Sequence, residues 1–127
     1  MVRQPEIYNL LYRLGLTANY TGFFYLSCAV ELCLERPDRL LLVTKWLYPE
    51  VARRYRTNWK SVERNIRTVG GLIWCRNKVL LEGLAGCPLF QRPRNTQLLA
   101  ILTYTLSAQP PDALAAAALA APPISCS

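Results

Sequence analysis

Apolar residues return every three or four positions along most of this 127-residue chain, and stretches that alternate apolar with polar are few. That periodicity is the mark of helices packed through one face, and it predicts an all-α fold. The first such segment, Pro5 to Leu14, sets Ile7, Leu10, Leu11 and Leu14 on one side, with Gly15 in a C-cap position. A second runs from Thr21 or Gly22 to Glu35. It is apolar almost all round (Phe23, Phe24, Leu26, Ala29, Val30, Leu32, Cys33) and is expected to be the central buried helix. Pro37 and Asp38 interrupt the pattern, and Asp38 is a good N-cap for a helix from Arg39 to Leu47. Pro49 then starts a short helix, because proline is tolerated in a first turn and not in the interior.

After Tyr55 the chain is expected to turn through Arg56, with Thr57 or Asn58 capping a longer helix that runs toward Ile73 or Trp74. Gly70 and Gly71 lie inside it and cost roughly 1 kcal/mol each relative to Ala, so its last turn is expected to fray or bend. A further helix from Asn77 to Leu84, a loop holding Gly86, Pro88 and Pro93, and a last helix capped by Asn95 through about Ser107 complete the pattern. Residues 1–108 thus read as one helical domain. Residues 109–127, rich in Ala and Pro, read as a low-complexity tail expected to be disordered.

An apolar content of 52% is enough for a single hydrophobic core in a chain of this length. No apolar run reaches the ~20 residues that cross a bilayer, and no signal-peptide core follows the N-terminal charge, so no membrane contact and a cytoplasmic location are expected. Five cysteines (28, 33, 75, 87, 126) with no C-x-x-C pair and no histidine argue against a metal site. Cys28 and Cys33 fall in the apolar pattern of one helix and read as core. The absence of histidine removes the commonest general base. Neither an enzyme nor a cofactor is expected.

Charge changes the picture most between Arg39 and Arg67. Eight Lys or Arg (39, 45, 53, 54, 56, 60, 64, 67) stand there against Glu50 and Glu63, which puts +6 of the total +7 in one segment. The two helices of this segment meet the requirements of a helix-turn-helix: Val51, Ala52 and Tyr55 would face inward on the first, and Val62, Ile66, Val69 and Ile73 on the second. On the second helix Lys60, Glu63, Arg64, Arg67 and Thr68 are spaced three and four apart and share a face. Their types suit a major groove, Arg reading guanine and Glu accepting from cytosine N4. Arg53, Arg54, Arg56 and Thr57, with the amides of that helix N-terminus, would meet phosphates. The plain alternative is a solvated face in which Glu63 and Arg67 form an ordinary i,i+4 pair.

At these residues the chain resembles the C-terminal DNA-binding domain of stage zero sporulation protein A, a response regulator. The resemblance rests on TKWLYPEVARRYRTNWKSVERNIR, Thr44 to Arg67, and extends to YLSCAVEL, to Trp74 with Arg76 and Asn77, and to RPRNTQLLAIL. It covers roughly residues 6 to 107. It implies a six-helix domain with a central helix-turn-helix, and carries over Glu63, Arg64 and Arg67 as DNA-facing residues, with Lys60, Ser61 and Thr68 at neighbouring recognition positions. Asn58 and Arg94 join Arg53, Arg54, Arg56 and Thr57 as expected phosphate contacts. The family usually has Ser-Arg at Lys60-Ser61, Ala at Asn65, His at Thr68 and good helix formers at Gly70 and Gly71. Its receiver domain is expected to be absent.

The function expected is therefore a sequence-specific regulator that inserts residues 58–73 into the major groove of double-stranded DNA. Self-association or a related regulator on tandem sites is the further partner considered. The competing reading is an interaction protein that keeps the fold but pairs with a related regulator or an acidic partner.

Overall fold

The computed structural model describes residues 4–108, which form six α-helices and, among the described residues, no strand. They are α1 (Gln4–Arg13), α2 (Thr21–Glu35), α3 (Tyr48–Arg54), α4 (Trp59–Arg76), α5 (Lys78–Ala85) and α6 (Asn95–Ala108). The expected disorder of residues 109–127 lies outside the described residues.

α2 is the axis of the fold, packed by α1, α4 and α6 and touched by α3. Phe23, Leu26, Ala29, Val30, Leu32 and Cys33 along it are almost wholly buried, as its all-round apolar pattern requires, while Phe24 and Leu34 are half-buried. Tyr8 and Tyr12 of α1 set their rings 5.1 and 5.2 Å from that of Phe23. Leu98, Leu99, Leu102 and Leu106 of α6 close the other side of the core. Both cysteines expected in the core, Cys28 and Cys33, are buried there. No helix among the described residues is long and apolar enough to cross a membrane.

Local chemistry sets the helix ends. Gly15 takes φ +98 just beyond α1, a conformation that suits glycine, and its carbonyl accepts from Arg76 Nη1 at 2.8 Å. Arg76 Nη2 also donates to the Tyr20 hydroxyl at 2.9 Å, and Asn77 Nδ2 to the Arg13 carbonyl at 2.8 Å. The α1–α2 turn is thereby fastened to the end of α4. Asn77 caps α5, accepting from Leu80 N at 3.2 Å, and Gly86 ends that helix at φ +79.

Three sequence expectations need correction. Residues 39–47 do not form one helix begun by Asp38. Pro37–Leu41 is a 3₁₀ turn and Val43–Leu47 a π turn that runs on into α3. Leu40, Leu41, Leu42 and Val43 give no helical stripe, so only Leu40 and Val43 reach the core while Leu41 and Leu42 stay exposed. Asp38 takes Arg36 Nη2 at 2.9 Å, and Arg39 Nη1 donates to the Leu32 carbonyl at 2.6 Å, which bends the chain back over the end of α2. Second, α4 neither stops nor frays at Gly70 and Gly71 but runs to Arg76, because Gly70 is buried against Leu98 of α6. Third, Asn95 does not cap α6. Arg94 precedes that helix, its N–H satisfied by Gln97 Oε1 at 2.8 Å, and Asn95 Nδ2 reaches instead to the Glu63 carbonyl at 3.0 Å.

Candidate nucleic-acid interface

The basic segment folds as α3, a four-residue turn and α4. Val51 and Ala52 of α3 are buried with Val62, Ile66, Val69 and Ile73 of α4, so these positions lie inward as their spacing predicts. Tyr55 does not. It is 42% exposed, its ring 5.2 Å from that of Tyr25, because α3 ends one residue before it.

The turn is a Schellman-type close. Thr57 N donates to the Ala52 carbonyl at 2.9 Å and Arg56 N to the Arg53 carbonyl at 3.4 Å, with Arg56 at φ +54. A left-handed residue normally favours glycine at this place, and here an exposed arginine occupies it. Of the two candidate caps for α4 it is Asn58 that serves, its Oδ1 accepting from Ser61 N at 2.8 Å.

On α4 the side opposite the buried stripe carries Lys60, Arg64, Arg67 and Thr68, all exposed, with Glu63 and Ser61 half-buried at its edges. Lys60 Nζ lies over the Trp59 ring at 5.9 Å. Thr68 Oγ1 donates to the Arg64 carbonyl at 3.0 Å, so its proton is used within the helix. Ser61 Oγ accepts from Asn65 Nδ2 at 3.3 Å. Glu63 Oε1 meets Arg67 Nη1 at 3.5 Å, with side chains 39% and 54% exposed. An ion pair so long and so wet is weak, worth about 0.3–0.5 kcal/mol.

The arginines expected at phosphates are divided. Glu50 receives Arg53 through both carboxylate oxygens and Arg54 Nε at 3.3 Å, and the Arg53 bonds hold the Glu50 carboxyl below its usual range. Arg54 also lines a cleft with Gln4, Cys28, Glu31 and Tyr55 that none of the α4 row reaches. Arg94, by contrast, comes to the α4 row. It shares a cleft of about 330 Å³ with Glu63, Arg67, Tyr48 and Asn95. Two further residues of that cleft, Arg92 and Thr96, carry no periodic signal in the sequence, since a loop and a helix start place them there.

Basic groups therefore line one outer face of a long helix whose opposite face is core, and a second pair of arginines, Arg92 and Arg94, flanks it from the loop before α6. Among the described residues there is no cluster of His, Cys, Asp or Glu able to hold a metal ion. The arrangement is suited to an extended polyanion. Residues 7–106, which contain α4 and the whole of that cleft, match the family described as the C-terminal domain of sporulation initiation factor Spo0A, and the chain belongs to that family.

Proposed function

We propose that this chain is a sequence-specific regulator of transcription that binds double-stranded DNA, with α3 and α4 acting as a helix-turn-helix and α4 entering the major groove. Membership of the family supports DNA binding in general. The finer reading is carried by the row Lys60, Arg64, Arg67 and Thr68, exposed together on the face of α4 that turns away from the core.

Base readers in this reading are Arg64 and Arg67, each able to offer two N–H groups to guanine, and Glu63, able to accept from a cytosine amino group. Arg56, Thr57, Asn58 and the first amides of α4 face the phosphates on one side of the groove. Arg53 and Arg54 act there only after release from Glu50. The test is selection of bound sites from a random DNA pool, followed by a salt titration on the selected and a random duplex. A regulator gives a defined site and affinity that falls steeply with salt. An enriched site that is absent, together with a flat salt response, returns the chain to the class of interaction proteins.

A further inference from the structure

Gly71 lies one turn beyond Arg67 and two beyond Arg64, in line with the exposed row of α4. The place of its missing side chain is taken. A Cβ built on Gly71 would stand 2.8 Å from Nη1 of Arg92, a residue of the α5–α6 loop. Arg92 is exposed, and no carboxylate among the described residues pairs with it at 4 Å or less. Its guanidinium thus lies across the groove-facing side of α4, where a side chain on the helix itself would have stood.

We propose that Arg92 is a DNA-phosphate contact, and that Gly71 is present to let the Arg92 guanidinium lie on the recognition face. This rests on the DNA-binding reading above. Gly71 is eleven residues past Lys60, about 16 Å along the axis. The major groove is only about 12 Å wide. When the first turns of α4 sit over base edges, the Gly71 end has reached the far groove wall, where phosphate oxygens are the available partners. Arg92 then faces one phosphate strand while Arg56 and the N-terminus of α4 face the other. The arrangement also accounts for a glycine in the middle of an 18-residue helix, where it is intrinsically unfavourable.

Two variants, Arg92→Ala and Gly71→Ala, test this on the selected duplex and on a random duplex, with fluorescence anisotropy across about 50 to about 200 mM salt. Arg92→Ala should weaken both duplexes alike and lower the log-log salt slope by about one, so that the parent's advantage shrinks roughly 3.5-fold over that range. Gly71→Ala should do the same by displacing the flexible end of Arg92, while its melting temperature stays level or rises by a few degrees. Loss of affinity without loss of fold separates this role from a structural one. Parent binding with both slopes unchanged overturns the inference alone. A lower slope in Arg92→Ala with none in Gly71→Ala overturns the placement by Gly71. A parent that binds no DNA overturns the regulator reading, and this inference with it.

Discussion

Gly22 of α2 lies directly against the Asn65 backbone of α4, so close that a methyl group there would overlap the Asn65 carbonyl oxygen and come within 2.7 Å of Val69 Cγ1. A side chain could swing aside, but a helix backbone cannot. Gly22→Ala must therefore push α4 away from α2, the pair on which the core and the exposed row of α4 both depend.

The expected cost is about 2 kcal/mol or more, even after the roughly 1 kcal/mol that Ala gains in a helix. Gly70→Ala is the control, since it meets only the movable Leu98 Cδ2 at 3.3 Å and should be near neutral. Urea denaturation of both variants checks this, read as a shift of midpoint at unchanged slope. A Gly22→Ala protein as stable as its parent would show that α2 and α4 do not meet in this way.

The second prediction concerns Arg56, held at φ +54 in the turn between α3 and α4. A non-glycine residue there is strained by roughly 1 kcal/mol, and no hydrogen bond of its side chain offsets the strain among the described residues. Arg56→Gly should raise stability by up to about 1 kcal/mol and yet weaken DNA binding, with the salt slope lower by about one. Thermal melting and salt titration of the same preparation check the two effects together. A fall in stability would mean that the arginine is kept for the fold. An unchanged slope would mean that it meets no phosphate.

These positions show where sequence was sufficient and where it was not. The bounds of α1 and α2, the start of α4, and the burial of Val62, Ile66, Val69 and Ile73, follow from caps and spacing because they are properties of one helix. The exposed row on α4 is legible for the same reason. Asparagine at a helix start reads as a cap, but α6 already begins at Asn95, and the Asn95 amide group donates to a tertiary partner, the Glu63 carbonyl. The run from Pro37 to Leu47 holds too many adjacent apolar residues for one helical face, so the core could accept only some of them. Gly22 and Gly71 matter for what lies opposite them in space, and no pattern within their own helices records it. Arg92 was hidden in the same way, in a loop.

Cys33 supplies a prediction with pH. Its side chain is fully buried, and burial pushes its thiol up from 9.0 to about 11. Below pH 9.0 the thiol is protonated in both the folded and the unfolded chain, and it adds no pH dependence. Between 9.0 and about 11 the unfolded chain loses the proton while the folded one keeps it, so stability falls by up to about 1.4 kcal/mol per pH unit. Cys33→Ala removes that component. The stability difference between parent and variant, measured by denaturant titration at several pH values, should narrow across this window. A constant difference would show that the thiol ionises freely in the folded protein.

Glu63 decides what kind of surface α4 presents. It is the only acid in the row, and its pair with Arg67 is 3.5 Å long and half open to water, so breaking it costs only a few tenths of a kcal/mol. DNA can therefore separate the two residues at little expense, leaving Arg67 to a guanine and Glu63 to a cytosine amino group. Glu63→Gln keeps the size of the side chain and its acceptor oxygen but adds a donor, so it should relax base preference at one position of the selected site. Total affinity should hold or rise at low salt, because a negative charge beside phosphates is gone. If Glu63 serves only Arg67, the same change should lower the melting temperature slightly and return the parent site unchanged. Site selection with Glu63→Gln distinguishes these, and melting of the same protein shows which role was lost. An identical site, obtained from a variant that is measurably less stable, would remove Glu63 from the base readers and leave the α4 row as a surface for phosphates alone.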